Sequence, residues 1–441
     1  MNVFAKQIKL WRIYLAVVVV GGIAEWIGTC RIPFGGGAIV LAPLLFAFVI
    51  AALINPNVTR EFGRFIRRKD VTVTPPLIST ALMLFIVKLG TIVGPAVEII
   101  VKASPALLLQ ELGALGGIVL AFPLGVWGFK MGREAIGATF SVAREKGITI
   151  IGRRYGIKSA EGAGVMGIYI LGTLFGAFVF TILASAFVSS GVFDPRALAM
   201  ACGVGSGSMM AACTGALSEA MPQLQDKIAV FASASAFLTS MIGLFVVGPF
   251  IALPILEKLY VVMLSPSARR CRENARTIML DRVASGTTRP RKKVGVFDYA
   301  LMLAIVCVVG VIVNAVGTGT PLAEGVTGMA VLGLIEMAGL VLTRFAPFHL
   351  PNIPSILLIG VLVTLPWTPG SHWVVAQVAP INVLSLATPL LSFAGLAITG
   401  EEITVAKQAG WRLALVACLV FFGIYAGSVL IAQLVLHWQG I

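Results

Sequence analysis

Long apolar segments separated by basic loops are the feature that most limits how this chain can fold. Residues 73–101 and 405–436 are each long enough to cross a hydrocarbon core of ~30 Å, which takes about 20 residues of α-helix. Only 12% of the residues are charged, against about 25% in soluble domains. Lipid offers no partners to backbone N–H and C=O groups, so segments of this length must be helical. The sequence predicts an all-α polytopic membrane protein.

The basic residues lie in the loops between the apolar segments, with clusters at 60–69, 130–158 and 269–293. An excess of lysine and arginine marks cytoplasmic loops. We therefore expect a multi-pass protein of the bacterial cytoplasmic (inner) membrane with a cytoplasmic N-terminus. The net charge of +14 resides largely in these loops, where it can contact anionic lipid headgroups. No nucleic-acid partner is expected.

About eleven segments are predicted to span the membrane. They are residues 12–30, 34–54, 73–101, 105–129, 162–190, 226–258, 297–316, 322–343, 352–368, 374–400 and 406–436. Counted from a cytoplasmic N-terminus, the chain is outside near Asp194 and inside in the basic loop after residue 263. Only one crossing is allowed between them, and 226–258 makes it. Residues 197–222 are therefore predicted to form a re-entrant hairpin that enters and leaves by one face.

The sequence GVGSGSMMAACTGALSE, residues 203–219, lies within that hairpin. Each glycine weakens a helix by roughly 1 kcal/mol relative to alanine, so a helix break is predicted at 203–208. Non-helical backbone at membrane depth is tolerated only where it is buried in protein or lines a cavity. One interpretation is a substrate site made by Gly203, Gly205, Ser206, Gly207, Ser208 and Thr214. The alternative is close helix packing by small residues.

Two parts of the chain resemble each other. Residues 22–28 read GIAEWIG and residues 333–339 read GLIEMAG, so that Glu25 corresponds to Glu336. At the same offset Pro43 corresponds to Pro354, and residues 76–81 match 389–394 at nearly the same offset. The span count gives the two copies opposite directions, which is the internal symmetry of many secondary transporters.

The predicted divisions are 1–129 (first repeat), 130–161 (basic loop), 162–262 (spans and hairpin), 263–296 (basic loop) and 297–441 (second repeat with one preceding span).

Ionisable and polar side chains inside the predicted spans are the other candidates for a site. A lysine at the bilayer centre costs roughly 3 kcal/mol. Lys88 is therefore expected to hold a substrate carboxylate, to alternate with a coupling proton, or to form a structural ion pair with Glu98 or Glu111. Near Pro380, Asn382 is a further substrate-binding candidate, because proline interrupts the helix and frees a carbonyl group; the alternative is an ordinary kink. The coupling-ion candidates, each also explicable by structural hydrogen bonds, are Glu25, Glu111, Glu336, Gln377 and Ser385.

The stretch at 203–219, the sequence PLLSFAGLAITGEE at 389–402 and the apolar spans around them resemble an uncharacterised bacterial membrane family, a domain of unknown function. That family is distantly similar to elevator-type carriers such as the citrate–sodium symporters and the lysine exporter family. The resemblance implies transport by an elevator mechanism. The second re-entrant hairpin of the symmetric carriers has no evident counterpart in this sequence.

We therefore expect a secondary active transporter of a small organic anion or amino acid, coupled to sodium or protons. The alternatives are a channel or facilitator for a small polar solute and an intramembrane enzyme. No enzyme activity is expected, because no catalytic pair of side chains has a convincing spacing, and no metal site is expected. Sodium is the one ion that could serve as a cofactor. The expected partners are a carboxylate-bearing small molecule, membrane lipids and, in a homodimer, a second copy of the chain.

Overall fold

The computed structural model describes residues 10–34, 37–59, 66–71, 74–140, 144–156, 159–264, 295–345 and 352–440. The basic residues within 60–65 and 265–294, and with them position 286 of the largest predicted cytoplasmic loop, lie outside the described residues. The described chain is almost entirely helical. It also contains one two-stranded antiparallel sheet, in which Cys30–Phe34 (β1) pairs with Gly37–Leu41 (β2).

The α-helices are numbered in chain order. They are α1 (Trp11–Ile27), α2 (Pro43–Ile54), α3 (Arg68–Val71), α4 (Pro75–Val93), α5 (Val97–Lys102), α6 (Ser104–Leu109), α7 (Gly116–Pro123), α8 (Glu134–Thr139), α9 (Arg144–Arg154), α10 (Ala160–Ser189), α11 (Pro195–Gly203), α12 (Gly207–Ala220), α13 (Gln225–Leu238), α14 (Leu253–Met263), α15 (Val296–Thr318), α16 (Leu322–Phe345), α17 (Asn352–Thr364), α18 (Ser371–Val378), α19 (Val383–Leu396) and α20 (Gly400–Trp438). Turns of 3-10 helix occupy Gln110–Leu115 and Pro222–Leu224, and π-helix occupies Leu124–Gly128 and Thr239–Ala252.

Seven helical segments within the described residues are long and apolar enough to cross a membrane, or eight if the bent pair α18–α19 is one span. The seven are Pro75–Val93, Ser104–Gly128, Ala160–Ser189, Val246–Met263, Val296–Thr318, Leu322–Thr343 and Trp411–Trp438. The chain is therefore a multi-pass, predominantly α-helical membrane protein. The count of eleven spans stays a prediction.

The predicted span 34–54 is wrong in its first part. Residues 37–41 pair with 30–34 as strands, and helix α2 begins only at Pro43. The twelve residues of α2 would extend about 18 Å at 1.5 Å per residue. Apart from Arg31, the segments on either side of the glycines at 35–37 are apolar, and they contain β-branched residues, which favour paired strands as much as a buried helix. Hydropathy alone does not distinguish the two.

The helices fall into two compact units. The first comprises Met1–Lys102, Ala211–Ser233 and Lys292–Gly400, and the second comprises Ala103–Met210, Ala234–Arg291 and Glu401–Ile441. Both predicted repeats contribute helices to both units. In the first unit, α15 packs against α1, α16 and α19, while α1 packs against α2 and α16 against α17.

Two parallel helix pairs in the first unit each combine one helix from each predicted repeat. In α2–α19, Gly395 lies against Phe48 and Ala51, and the Asn55 side chain donates to three carbonyl oxygens, including that of Ile398 at 2.9 Å. In α4–α17, Gly90 lies against Leu357 and Gly360, while Gly94 lies against Thr364. The absence of Cβ atoms at these glycines lets the backbones approach closely, as small residues do in membrane helix pairs.

The second unit has its own core and its own glycine contacts. Gly137 of α8 and Gly164 of α10 face each other so closely that a Cβ atom on either would overlap a backbone carbonyl group of the other helix. The segment 104–128 runs antiparallel to α20, with Gly113 against Gly427 and Gly116 against Gly423. These contacts fix the helices of the unit at short distances.

An ionic cluster joins three chain segments of the second unit. Arg133 donates to Glu161 and, at 2.6 Å, to Glu257, which also accepts from the Tyr155 hydroxyl at 2.6 Å. The Arg133 guanidinium also lies 5.6 Å from the Tyr260 ring centroid. Partial burial alone would lower the pKa of Arg133, but the hydrogen bonds to the two glutamates outweigh it and raise that pKa. The cluster places the start of α10 and the middle of α14 beside residue 133.

Candidate functional site

A bent, interrupted helix forms the centre of the candidate site in the first unit. Helix α18 ends at Val378, α19 begins at Val383, and their axes differ by 63°. Pro380 lies in the interruption, where a residue without an N–H group cannot continue the helical ladder. The Asn382 side-chain oxygen caps α19 by accepting from the Leu384 N–H at 2.8 Å. The break predicted at Pro380–Asn382 is confirmed.

Asn314 of α15 holds the interruption open from one side. Its amide nitrogen donates to the Pro380 carbonyl oxygen at 3.2 Å, and its amide oxygen accepts from the Asn382 N–H at 2.8 Å. Thr320 also donates to the Pro380 carbonyl oxygen, at 3.4 Å. Asn314 is fully buried. Asn314 is not among the residues predicted from the sequence, although a lone amide inside an apolar segment is a signal that could identify it.

Lys88 of α4 lies at the other end of the interruption. Its ammonium group donates to the Val378 carbonyl oxygen at 2.7 Å, and the side chain is only 5% exposed. The carbonyl end of a helix carries partial negative charge, which a cation stabilises. Lys88 is therefore shielded as predicted, but its partner is a backbone carbonyl. Among the described residues it forms no ion pair with Glu98, and Glu111 belongs to the second unit.

A cavity of about 560 Å³ opens beside Lys88 and the interruption, entirely within the first unit. Its polar lining is Lys88, Thr91, Gln225, Asp226, Lys227 and Asn382. Its apolar lining includes Ile92, Ile99, Val230, Phe231, Val375 and Ile381. A volume of several hundred cubic ångströms, mostly apolar walls and a few converging polar groups are typical of small-molecule sites. The structure thus brings the predicted substrate residues Lys88 and Asn382 to one cavity.

A second polar cluster in the first unit contains Glu25 and Ser385. The Thr388 hydroxyl donates to the Glu25 carboxyl group at 2.6 Å. A Cβ atom at Gly317 would lie 2.5 Å from the other Glu25 oxygen and 2.8 Å from the Ser385 hydroxyl oxygen. The glycine therefore leaves room for a carboxyl group and hydroxyl groups to converge. Such an oxygen-rich cluster can hold a proton or a cation.

The remaining predicted residues of the first unit occupy other positions. Glu336 is fully buried and accepts a hydrogen bond from Tyr299, while its second carboxyl oxygen has no hydrogen-bond partner among the described residues. Gln377 packs by its backbone against Gly328 of α16. Thr214 is buried in α12. None of these three lines the cavity.

The other predicted residues lie in the second unit. Helix α11 ends at Gly203 and α12 begins at Gly207, which confirms the predicted helix break at Gly203–Ser208. The Ser206 and Ser208 hydroxyl oxygens lie 3.3 Å apart, and both side chains are half-buried. Glu111 is buried and accepts hydrogen bonds from Gln110, at 2.8 Å, and from Thr239. Their participation in a ligand site stays a prediction.

Over the described ranges, no three His, Cys, Asp or Glu side chains are arranged to hold a metal ion.

The comparisons with known proteins identify a family but no characterised relative. No curated protein and no solved structure matches the chain. A family model described as "Protein of unknown function (DUF3100)" matches residues 22–262, a region that contains Lys88 and the break at 203–208 but ends before Asn382. Because this match covers more than half of its 441 residues, the chain belongs to the DUF3100 family.

Proposed function

We propose that the protein is a secondary active transporter of a small organic anion or amino acid, coupled to sodium or protons. The observation that carries the proposal is the interrupted helix α18–α19, whose break faces a cavity lined by Lys88. Discontinuous helices that expose backbone groups at a substrate cavity are a recurrent feature of secondary transporters. A packed structural kink needs neither the cavity nor a buried ammonium group at the helix end.

Lys88 is the group best placed to bind a carboxylate. An ammonium group has three donors, and the Val378 carbonyl oxygen accepts one of them. The N-terminal end of α19 offers less, because Asn314 and Asn382 already accept hydrogen bonds from the N–H groups at the start of that helix. The apolar walls around Ile92, Val230 and Phe231 favour a ligand with an apolar body attached to its carboxylate.

The packing of the first unit supports the proposal that two parts of the chain are related by an internal two-fold axis. If α1 and α2 correspond to α16 and α17, and α4 to α19, then the pair α2–α19 corresponds to the pair α17–α4. The contacts of α15 with α1 and α19 likewise correspond to its contacts with α16 and α4. When each helix is exchanged for its counterpart, the pattern of contacts stays the same. Two-fold internal symmetry produces this result.

Residues that contact each other in the second unit are predicted to lie on the same side of the membrane. In the second unit, Arg133 contacts Glu161 and Glu257, and the span count places all three positions on the cytoplasmic side. The Asp194 N–H donates to the Gln433 side chain at 2.7 Å, and the count places both of these residues outside. Two units with separate cores are also what an elevator mechanism would need.

Solute counterflow in proteoliposomes would test the transport proposal. Vesicles preloaded with an unlabelled carboxylate or amino acid should accumulate the labelled compound transiently, and a sodium or proton gradient should drive net uptake. A channel would equilibrate the label without accumulation. Labelled compounds from a panel of monocarboxylates and amino acids would be measured with wild-type protein and with empty vesicles. Equilibration without accumulation would favour the channel alternative.

Cysteine labelling from outside the cell should modify a cysteine at position 320 and should not modify one at position 286. Thr320 follows the end of α15, on the face that the span count places outside. Position 286 is in the basic loop predicted to be cytoplasmic. A membrane-impermeant maleimide on intact cells, with permeabilised cells as the control for reactivity, makes the measurement. Labelling at position 286 in intact cells would reverse the predicted orientation.

Gly205→Val is expected to abolish ligand binding if the break at 203–208 belongs to the site. Phe180 lies 3.0 Å from where a Cβ atom would stand, so the larger side chain should also destabilise the fold by about 1–3 kcal/mol. Ser206→Ala removes one hydroxyl group without adding bulk and should weaken binding by about 0.5–1.5 kcal/mol. Isothermal titration with both variants makes the comparison. Unchanged affinity in both would assign the break to helix packing.

A further inference from the structure

The carbonyl end of the half-helix α18 already holds a positive charge. The Lys88 ammonium group lies 2.7 Å from the Val378 carbonyl oxygen and is almost completely buried. In carriers with discontinuous helices, unwound carbonyl groups and half-helix C-termini are the places where a coupling sodium ion binds. The partial negative charge of the helix end attracts either cation. Lys88 therefore occupies the position that a sodium ion would take at this break.

The charges around the cavity favour a ligand with one negative charge. Among the described residues, the ionisable side chains of its lining are two lysines, Lys88 and Lys227, and one aspartate, Asp226. With all three ionised, these side chains contribute a net charge of +1. A bound monocarboxylate would neutralise this charge, whereas an additional sodium ion beside Lys88 would increase it. The Coulomb repulsion between two cations is stronger beside a buried group such as Lys88 than in bulk water.

We propose that Lys88 is the resident cation of the site, so that the protein binds a monocarboxylate without sodium. The ligand carboxylate shares the Lys88 ammonium group with the Val378 carbonyl group. This inference rests on the proposed function and narrows it, because it excludes the end of α18 as the site of a coupling sodium ion. Lys88 is then a substrate-binding residue as well as the group that stabilises the end of α18.

Thermal unfolding of the purified full-length protein tests the proposal. A panel of small monocarboxylates would be added at one pH in sodium chloride, potassium chloride or N-methylglucamine chloride. A ligand that binds the folded state raises the unfolding temperature by mass action. We expect the same carboxylates to stabilise the wild-type protein equally in all three salts. Lys88→Met should weaken their affinity by at least about tenfold, whereas Lys88→Arg should retain binding.

Lys258→Met is the matched control, because Lys258 is exposed and lies outside the cavity. If carboxylates raise the unfolding temperature in sodium chloride but not in the other two salts, the inference is overturned and the transport proposal stays intact. Carboxylate binding that survives in a folded Lys88→Met variant would also overturn it, since Lys88 would then act only on the helix end. If Lys88→Met does not fold, Lys88→Arg and the comparison of salts decide the outcome. Sodium-independent binding without counterflow would support the inference and contradict the transport proposal.

Discussion

Asn314→Leu is expected to reduce transport more than tenfold, because the variant loses both hydrogen bonds that hold the α18–α19 interruption. The Asn382 N–H would lose its partner, and the Pro380 carbonyl group would keep only the longer hydrogen bond from Thr320, at 3.4 Å. An unsatisfied buried polar group costs about 1–3 kcal/mol, so the geometry at the break should change. Uptake of a carboxylate into proteoliposomes, at equal protein content, makes the measurement.

Two further variants distinguish a change at the break from general destabilisation. Thr343→Val removes a hydroxyl group that, in the described part of the chain, donates to the Leu340 carbonyl oxygen of its own helix, and it should transport normally. Asn314→Asp retains the oxygen that accepts from the Asn382 N–H and should keep more activity than Asn314→Leu. Normal uptake by Asn314→Leu would contradict the assignment of this residue to the site.

Gly137→Ala is expected to prevent stable folding of the second unit. The added methyl group would overlap the Glu161 carbonyl group, which is part of the α10 backbone and cannot rotate away. Overpacking usually costs about 1–3 kcal/mol, and a backbone obstacle belongs at or above the upper end of that range. Gly164→Ala should have the same effect from the opposite helix, where the Glu134 carbonyl group is the obstacle. The yield of monodisperse protein and its unfolding temperature are the measurements.

Gly22→Ala is the control for these two substitutions. A Cβ atom at Gly22 would have no neighbour within 4 Å, and Gly22 lies inside helix α1. Alanine there should be neutral or should stabilise the helix by up to about 1 kcal/mol. Near-normal folding of Gly137→Ala would show that α8 and α10 can move apart without a loss of stability.

The sequence predicted the positions of both helix breaks because their causes are local. Pro380 lacks an N–H group, and closely spaced glycines weaken the helix at 203–207 wherever the rest of the chain lies. The burial of Lys88 was predictable from the cost of a charge in lipid. Its partner was not, because a backbone carbonyl 290 residues away has no side-chain identity that a sequence pattern could reveal.

Non-local partners also explain the other differences. Glu25 and Glu336 occupy matching sequence motifs, yet one bonds to a threonine and the other to a tyrosine. Asn314 acts on a loop that lies more than sixty residues later in the chain. Most of the strand pair at 30–41 lies within two predicted membrane spans, because its residues are mostly apolar. Hydropathy measures how apolar a segment is and carries no information on the strand with which it will pair.

The exchange of helices between the two halves of the chain has a consequence for biosynthesis. Helix α17 covers the face of α4 that contains Gly90, and α19 covers the face of α2 that contains Phe48 and Ala51. Each covering helix follows about three hundred residues later in the chain. At roughly 5–20 residues per second, the early helices leave the ribosome tens of seconds before their partners exist. During that interval they must be held by lipid, by the insertion machinery or by a chaperone. A nascent chain that stops before α17 therefore exposes these faces, and quality-control proteases should recognise it as incomplete.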